Sequence, residues 1–268
     1  MTIQADSKAV EQLGKWHHSY IELYRTLLGL KVEDSYLPTL NSHIETIASK
    51  FSQANFVLRF EDLLPAWEPL EKLLQQASSI ITESSPDTNF ALKKLIAQPS
   101  IIKRGAKAWY QYSTLHSIAD EIGVDRETLS LCFQTAVHPI LIKYSEALSP
   151  LIIQDSWRQR TCPICGGKPD LAFLSKDNGA RWLVCSRCDT EWLFFRLECP
   201  FCGNRDQDSL AYLTNDNELY RLYTCEQCQN YIKAIDLRRA KNDVLFPFER
   251  IRTLDLDKQA IAAGYKRG

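Results

Sequence analysis

The sequence predicts an α+β multidomain protein, in which an N-terminal all-α bundle is followed by two tandem zinc-ribbon β modules. Three observations lead to this prediction. Apolar residues recur at helical spacing over the first 155 of the 268 residues, and only one of the nine cysteines lies there. Beyond residue 156, aromatic residues, short alternating runs and turn residues replace the helical pattern. That second part also contains four Cys-x-x-Cys pairs.

The helical part begins with an apolar stripe whose members are three and four positions apart. They are Leu13, Trp16, Tyr20, Leu23 and Leu27. A second helix is expected near Leu40 to Phe51. Pro65 and Pro69 flank Trp67, which indicates a turn that continues as a helix within Phe60 to Leu74.

Three further helices are predicted before residue 155. Asp87 or Thr88 is a suitable N-cap for the first of them, and the next is expected from Lys103 to Ile122. The clearest helix follows Asp125, and Pro139 within it should produce a kink. We therefore expect an irregular bundle of five to seven helices.

The second part is predicted to consist of short strands and turns. The expected strands and turn are Arg181–Val184, Glu191–Arg196, Ser209–Leu213, Leu219–Tyr223 and the hairpin turn Asn215–Asn217. The tail from Leu254 to Tyr265 is expected to form one closing helix. The predicted domains are a helical domain over 1–155, a first ribbon over 156–196, a second ribbon over 197–240 and a tail over 241–268.

The cysteine pairs form an internal repeat of four Cys-x-x-Cys turns, which we call knuckles. They are Cys162/Cys165, Cys185/Cys188, Cys199/Cys202 and Cys225/Cys228. The first and third knuckles share the pattern Cys-Pro-x-Cys-Gly, in which proline restricts the turn and glycine allows a positive φ. Backbone N–H groups in such a turn can point at the thiolates. Each gap between consecutive knuckles of a ribbon fits a β-hairpin.

Eight thiolates fit two tetrahedral metal sites, because two knuckles supply the four ligands of one ion. Sequential pairing places Cys162, Cys165, Cys185 and Cys188 in site 1, and Cys199, Cys202, Cys225 and Cys228 in site 2. The alternative is a nested pairing of the two middle and the two outer knuckles, and hairpin geometry favours the sequential one. The expected cofactors are two tetrahedral four-cysteine metal ions, iron or zinc, since an all-sulfur tetrahedral site accepts either.

Disulfide bonds are the competing interpretation of these pairs. The first 19 residues lack the charged start and apolar run of a secretory signal, and no stretch of 18 apolar residues predicts a membrane helix. We therefore expect a cytoplasmic location without membrane insertion. Thiols stay reduced in that compartment, so metal binding is the favoured interpretation.

The charge distribution argues against general binding to nucleic acid. Residues 1–155 carry 14 basic and 18 acidic residues, whereas residues 156–268 carry 18 and 15, a net of +3. Two divalent ions on eight thiolates would bring the second part to about -1. Five arginines lie near the first ribbon, namely Arg158, Arg160, Arg181, Arg187 and Arg196. They are expected either to form a solvated surface and neutralise the thiolates, or to form a surface that contacts a partner.

Other reactive side chains are expected to be structural. Cys132 lies on the apolar face of its helix and should be a buried, inert thiol. Structural or surface roles are expected for His17, His18, His43, His116 and His138. Small cores beside the metals are expected to contain Trp182, Trp192, Phe194 and Phe195. No phosphate loop, hydrolase elbow or dinucleotide motif occurs, so no catalytic residue is assigned.

The residues around the knuckles form an ordered set of motifs. It comprises Trp157, Cys162-Pro-Ile-Cys-Gly-Gly-Lys-Pro169, Arg181-Trp-Leu-Val-Cys-Ser-Arg-Cys188, Thr190-Glu-Trp192, the two later knuckles, Tyr231-Ile-Lys233, Asp255-Leu-Asp257 and Ala262-Ala-Gly-Tyr265. This set resembles the formate dehydrogenase accessory protein (FdhE) family over about residues 157–268. Val184 and Leu193 stand where that family often has histidine, so no role of those histidines is carried over.

The resemblance implies a cytoplasmic helper protein rather than an enzyme. Members of the family bind the catalytic subunit of molybdenum- or tungsten-dependent formate dehydrogenases and support maturation before export. The implied fold is a helical domain followed by two rubredoxin-like knuckle pairs, with the eight cysteines as metal ligands. Given this resemblance, iron and zinc are expected about equally as the bound ion.

Two functions from different classes are therefore expected. The first is a metal-binding maturation chaperone for the catalytic subunit of a formate dehydrogenase-type molybdopterin oxidoreductase. The alternative is a zinc-ribbon protein that binds nucleic acid or a transcription complex, which the small net charge of the metal-loaded ribbons disfavours. An iron site that transfers electrons is a third possibility, and it requires an ion that changes oxidation state.

Overall fold

A computed structural model describes residues 21–51, 58–214 and 218–268. The chain divides into two compact units. One contains Leu63–Ile140 together with the described residues up to Thr39, and the other contains Leu40–Asp62 and Leu141–Gly268. Several predictions lie outside the described residues, namely those for Leu13, Trp16, His17, His18, Tyr20 and the turn Asn215–Asn217. The four domain boundaries drawn from the sequence stay a prediction.

The helices of the described chain are α1 (Leu37–Phe51), α2 (Trp67–Ser84), α3 (Asn89–Ile96), α4 (Pro99–Tyr110), α5 (His116–Ile122), α6 (Arg126–Leu148), α7 (Phe246–Arg252) and α8 (Leu254–Ala262). Residues 21–28 are also helical. Short 3-10 turns occupy Asp34–Tyr36, Phe60–Ala66, Pro86–Thr88, Ser149–Leu151 and Gln207–Ser209. Within the described residues, no helix combines the length and the hydropathy that crossing a bilayer requires.

The predicted single helix from Lys103 to Ile122 is wrong, because the chain forms α4 and α5 with a break between them. Tyr112 adopts a left-handed conformation with φ 55°, which ends α4. The hydroxyl of Thr114 then accepts a hydrogen bond from the backbone N–H of His116 at 3.3 Å. Hydroxyl side chains compete with helical hydrogen bonds in this way, and the apolar spacing does not reveal it.

Three other helical predictions agree with the structure, whereas the closing helix predicted over Leu254 to Tyr265 ends at Ala262. The helix expected near Leu40 to Phe51 is α1, and the region from Phe60 to Leu74 is a 3-10 turn that continues as α2. The helix after Asp125 is α6, which continues past Pro139. Thr88 takes the N-cap position of α3, but its hydroxyl donates to the carbonyl of Ser85 at 2.7 Å instead of capping the helix.

The first unit buries the apolar faces of α2, α3 and α4 together with the start of α6. Gly105 of α4 lies directly against the ring of Phe133 of α6. A Cβ atom at Gly105 would be 2.4 Å from Cζ of Phe133, so only glycine allows this close approach. Cys132 is fully buried beside it, as predicted.

The second unit contains one mixed β-sheet. Its strands are β1 (Pro169–Leu174), β2 (Arg181–Cys185), β3 (Glu191–Leu193), β4 (Leu210–Thr214), β5 (Tyr220–Cys225), β6 (Asn230–Asp236) and β7 (Lys266–Arg267). Their order is β3-β2-β1-β6-β5-β4, and β7 pairs with β6. The predicted α+β arrangement of a helical part and two cysteine ribbons is therefore confirmed.

The two ribbons share this sheet, because β1 of the first pairs in parallel with β6 of the second. The register runs from Leu171 opposite Lys233 to Leu174 opposite Asp236. All other pairs within the ribbons are antiparallel. The strand predicted over Glu191–Arg196 is too long, since its partner β2 begins at Arg181 and leaves the later residues without a neighbouring strand.

Candidate metal centres

Site 1 brings together the four sulfur atoms of the first two knuckles, Cys162, Cys165, Cys185 and Cys188, all within 4.8 Å of one another. Sγ of Cys165 is 3.4 Å from Sγ of Cys185 and from Sγ of Cys188. A tetrahedral ion with metal–sulfur bonds of about 2.3 Å would set its ligands roughly 3.8 Å apart. The thiols of site 1 therefore fit one such ion.

Site 2 repeats this geometry in the second ribbon. Sγ of Cys199 is 3.7 Å from Sγ of Cys228, and Sγ of Cys202 is 3.7 Å from Sγ of Cys225. These separations also match a tetrahedral four-sulfur site. Each of the two clusters could hold one metal ion, as predicted, and the donor set admits zinc or iron.

The structure groups the eight cysteines as the sequential pairing does, and it does not bring the nested sets together. All nine cysteines of the chain are described, and all are free thiols. The distances of 3.4 to 3.7 Å between neighbouring sulfurs are far longer than the roughly 2.05 Å of a disulfide. That the eight thiols ligate metal stays a prediction.

The glycines of the two Cys-Pro-x-Cys-Gly turns have the positive φ that the sequence suggests, 66° at Gly166 and 80° at Gly203. The N–H of Gly166 donates to the carbonyl of Cys162 at 3.1 Å, and the N–H of Gly203 donates to that of Cys199 at 3.0 Å. Backbone N–H groups also donate to sulfur, from Ile164 to Cys162 (3.4 Å), from Arg187 to Cys185 (3.4 Å) and from Phe201 to Cys199 (3.5 Å). The turns are thus shaped to stabilise thiolates.

The two sites differ in exposure. Every cysteine of site 1 is buried, with at most 2% of its surface exposed. In site 2, Cys202 and Cys228 are only partly buried. Water and small reagents therefore reach site 2 more easily than site 1.

A hydrogen-bonded chain of hydroxyl groups reaches site 1. Oγ1 of Thr190 lies 2.9 Å from Sγ of Cys188 and 2.7 Å from Oγ of Ser145 in α6, and both hydroxyl residues are buried. In site 2, Nδ2 of Asn204 lies 3.8 Å from Sγ of Cys225. Thr190 belongs to the Thr-Glu-Trp motif, so the sequence identifies it as a residue of interest. The sequence does not reveal its hydrogen bond to Ser145, which lies 45 residues earlier in α6.

Burial disfavours the thiolate form of two cysteines in site 1. It raises the pKa of Cys165 and Cys188, helped by the neighbouring sulfurs. At Cys162 burial also acts to raise the pKa, but hydrogen bonds from the other three sulfurs outweigh it and hold the pKa well below its ordinary value. Four buried thiolates repel one another, so a bound cation is the natural partner for this donor set.

Arg250 of α7 fastens the second knuckle of site 1. Its guanidinium donates to both carboxylate oxygens of Asp170, at 2.8 and 3.1 Å, and to Oδ1 of Asp189 at 2.6 Å. It also donates to the backbone carbonyl of Cys185 at 2.8 Å. Sequence reasoning missed this residue, because nothing near Arg250 indicates contact with a knuckle 65 residues earlier.

The expectations for the arginines and the aromatic residues near the ribbons are only partly met. Arg181 and Arg187 are buried, each with 3% of its surface exposed, so they are not part of a solvated basic surface. Among the aromatic residues, Trp192 and Phe194 are buried in the second unit as expected, whereas Phe195 is 39% exposed. His43 has a structural contact, with its Nδ1 2.7 Å from the hydroxyl of Tyr144.

Known proteins resemble this chain in sequence. The family model described as "FdhE, central domain" matches residues 161–196. The FdhE homologue of Aquifex aeolicus (strain VF5) is 34% identical over 150 residues, which cover 54% of this chain and 52% of the relative. That of Stutzerimonas stutzeri (strain A1501) is 30% identical over 112 residues, covering 41% and 36%. The matches thus span about half or less of the length of these relatives.

A solved structure resembles the fold. The crystal structure of the FdhE protein from Pseudomonas aeruginosa superposes with a TM-score of 0.61, covering 92% of this chain and 82% of that one, at 20% sequence identity. At that identity the likeness concerns the fold alone. Together with the sequence matches, it confirms the resemblance noted around the knuckles.

Proposed function

We propose that this chain, an FdhE-like protein, is a metal-binding accessory protein that supports the maturation of a formate dehydrogenase-type molybdopterin oxidoreductase. The observation that carries the proposal is the pair of four-cysteine clusters on one sheet within an FdhE-like fold. Cys162, Cys165, Cys185 and Cys188 would ligate one ion, and Cys199, Cys202, Cys225 and Cys228 the other. The protein would act in the cytoplasm, where thiols stay reduced.

The donor sets support a role other than catalysis on a substrate. Four protein ligands fill a tetrahedral shell, and a catalytic metal needs an open position for water or substrate. A bound ion would supply cross-links between the knuckles, and iron would in addition accept or release one electron. In site 1, Arg250 and the hydroxyl of Thr190 also hold the second knuckle in place.

The proposed client is the catalytic subunit of such an oxidoreductase. The sequence matches to FdhE homologues support this choice, and the matching family model lies within the metal-binding half of the chain, at residues 161–196. The two ribbons form one continuous sheet, and the ions would cross-link the knuckles at its ends. A client that recognises the surface of this sheet would therefore depend on metal loading.

Affinity purification tests the client. The tagged chain should recover a molybdopterin-type catalytic subunit from its native host, and the Cys202→Ser/Cys228→Ser variant should recover much less. Cys132→Ala is the matched control, because Cys132 is a thiol outside both clusters, and it should recover the subunit normally. Repeated recovery without any such subunit would contradict the proposal.

Metal analysis of protein purified without added metal identifies the ion. We expect two ions per chain, and one per chain in Cys202→Ser/Cys228→Ser. A visible absorption spectrum separates iron, which is coloured in a four-sulfur site, from colourless zinc. Colourless zinc in both sites would remove any electron-transfer role and leave the accessory role intact.

The burial of two arginines weakens the alternative of nucleic-acid binding. Arg181 and Arg187 would be the natural phosphate contacts beside the first ribbon, and neither is accessible. Phosphate binding needs exposed cations and falls steeply with salt. We therefore expect no binding of DNA or RNA even at low salt in a mobility-shift experiment.

A further inference from the structure

The hydroxyl of Thr190 contacts a sulfur of site 1 more closely than the backbone groups around it do. Its Oγ1 lies 2.9 Å from Sγ of Cys188, whereas the backbone nitrogens that donate to Cys162 and Cys185 are 3.4 Å from sulfur. The same oxygen lies 2.7 Å from Oγ of Ser145 in α6. Thr190 and Ser145 are buried, so water competes little for these two hydrogen bonds.

The chemistry of the sulfur determines the direction of both hydrogen bonds. A cysteine that ligates a metal ion is a thiolate and has no proton to donate. Thr190 therefore donates its single hydroxyl proton to Sγ of Cys188, because two acceptors at this distance would repel each other. The oxygen of Thr190 then accepts the hydroxyl proton of Ser145. In the metal-loaded protein the proton donors thus run from Ser145 through Thr190 to the sulfur.

The internal repeat shows that this hydroxyl is not required to form the turn. The residue after the last cysteine is left-handed in both sites, with φ 53° at Asp189 and 57° at Gln229. The residue that follows is Thr190 in site 1 and Asn230 in site 2. In site 2 the hydrogen bond to Cys228 comes from the backbone of Asn230. Since the same turn forms without a hydroxyl, the hydroxyl of Thr190 has a role beyond the turn.

That role follows from the charge of the donor set. Four buried thiolates repel one another, and a hydrogen bond donated to one of them stabilises its charged form. Groups that are hydrogen-bonded to a metal ligand tune the affinity of the site for its ion. We propose that Thr190, acting through Cys188, raises the metal affinity of site 1 and lowers the energy of its sulfur electrons. The inference rests on metal binding at site 1, which is part of the proposed function.

A purely mechanical role is the competing explanation. In that case Thr190 would serve only to connect the second knuckle of site 1 to α6 through Ser145. Two variants separate the roles. Ser145→Ala breaks the connection to α6 but leaves Thr190 its proton for the sulfur, whereas Thr190→Val removes the donor and keeps a branched side chain of similar shape.

The experiment loads the full chain with Co²⁺ alone, because its sulfur-to-metal charge-transfer band reports the energy of the sulfur electrons. Competition with a chelator measures the affinities, and the signal of site 1 is the one retained in Cys202→Ser/Cys228→Ser. Thr190→Val should weaken the affinity of site 1 about tenfold or more, the usual cost of losing a group that is hydrogen-bonded to a metal ligand. The band should also move to longer wavelength, since the sulfur electrons then lie higher in energy.

The other variants at these two positions separate the effect of the donor from that of the connection. Thr190→Ala, a second variant without the hydroxyl, should show both changes. Thr190→Ser, which keeps the hydroxyl, should restore most of the affinity and the position of the band. Ser145→Ala should change the affinity far less than Thr190→Val and leave the band in place. Equal losses in Ser145→Ala and Thr190→Val, or an unshifted band in Thr190→Val, would overturn the proposal.

Thr88→Val is the matched control for the loss of a buried hydroxyl. Thr88 is also buried and donates to the carbonyl of Ser85 at 2.7 Å, but it belongs to the first unit, which contains neither cluster. Its replacement should leave the affinity and the band of both sites unchanged. Two ions per chain with no change in Thr190→Val would contradict this inference alone. A parent chain that binds no ion at site 1 would contradict the proposed function as well.

A measurement on the parent chain needs no variant. With ¹¹³Cd²⁺ in the two sites, the hydroxyl proton of Thr190 should be coupled to cadmium through the hydrogen bond to Cys188. We expect to detect this coupling by NMR, because the buried hydroxyl exchanges slowly with water. A slowly exchanging hydroxyl proton of Thr190 without coupling to cadmium would show that the sulfur is not its acceptor and would overturn the proposal.

Discussion

Nζ of Lys233 lies 2.6 Å from Oδ2 of Asp257, and both side chains are buried. The hydroxyl of Tyr231 donates to the other carboxylate oxygen of Asp257 at 2.7 Å. Lys233 also donates to the backbone carbonyl of Arg250 at 3.0 Å. The segments Tyr231-Ile-Lys233 and Asp255-Leu-Asp257 are therefore two halves of one polar contact, which holds α8 against β6.

Removing the carboxylate of this contact should destabilise the second unit strongly. Asp257→Ala leaves the ammonium group of Lys233 buried without its counter-ion, and breaking a buried pair in this way typically costs about 3–5 kcal/mol. Denaturant unfolding of the metal-loaded protein, followed by tryptophan fluorescence, measures the change. We expect the denaturant concentration at the transition midpoint to fall, because the unfolding free energy is lower.

Asp255→Ala is the matched control, because Asp255 lies two residues earlier in α8 and its side chain is 70% exposed. Its loss should change the unfolding free energy by less than about 0.5 kcal/mol. The double variant Lys233→Met/Asp257→Leu should recover most of the stability, since apolar replacements of a buried pair are often neutral. A similar cost for Asp255→Ala and Asp257→Ala would contradict this role.

Arg250 should determine how firmly site 1 is held. Arg250→Lys keeps the charge but loses the planar group that contacts Asp170, Asp189 and the carbonyl of Cys185 together. We expect a loss of about 1.5–3 kcal/mol in unfolding free energy and faster release of the site 1 ion to a chelator. Arg252→Lys is the control, because Arg252 is 69% exposed, and unchanged release from Arg250→Lys would refute the assignment.

The difference in exposure predicts two phases of metal release. A chelator should first remove one ion per chain from site 2, where Cys202 and Cys228 are partly exposed, and only later the ion of site 1. Loss of the fast phase in Cys202→Ser, with the slow phase retained, would assign the phases. A single phase that releases two ions together would show that the sites are not independent.

The sequence predicts local features of the fold well, because knuckles, hairpins and amphipathic helices depend on neighbours in the chain. The eight cysteines, their grouping by consecutive knuckles and the glycines with positive φ all belong to this class.

The sequence pattern does not predict the strand β6, for a physical reason. Lys233 and Asp236 are buried in it through ion pairs with distant residues, so its pattern does not look apolar.

Contacts across long stretches of chain were likewise not predicted. The parallel pairing of β1 with β6 joins residues about 60 positions apart, and no turn signal specifies it. The sequence leaves the role of Arg181 open between solvated surface, thiolate neutralisation and a partner surface, because a buried cation over an aromatic ring has the same sequence signature as an exposed one. The cavity between the ribbons, which Arg181 and Tyr223 line, depends on this pairing, so sequence patterns do not predict it either.

Asp125 should stabilise the first unit in a pH-dependent manner. Its carboxylate accepts hydrogen bonds from the backbone N–H of Thr128 at 2.7 Å and from the hydroxyl of Thr128 at 2.6 Å, which caps α6. The side-chain hydrogen bond from Thr128 lowers the pKa of Asp125 below its ordinary 3.8. The carboxylate thus binds its proton less readily in the folded state than in the unfolded one. Its stabilisation is therefore present above about pH 4 and lost as the pH falls below that value.

Asp125→Ala should lower the unfolding free energy by about 1 kcal/mol at pH 6, the usual contribution of an N-cap, and by clearly less at pH 3. Circular dichroism during urea unfolding at both pH values measures the difference between variant and parent, so acid effects common to both cancel. Asp87→Ala is the control, because Asp87 precedes α3, which has no side-chain N-cap hydrogen bond among the described residues. An equal cost of Asp125→Ala at pH 6 and pH 3 would show that the ionised carboxylate is not what stabilises the start of α6.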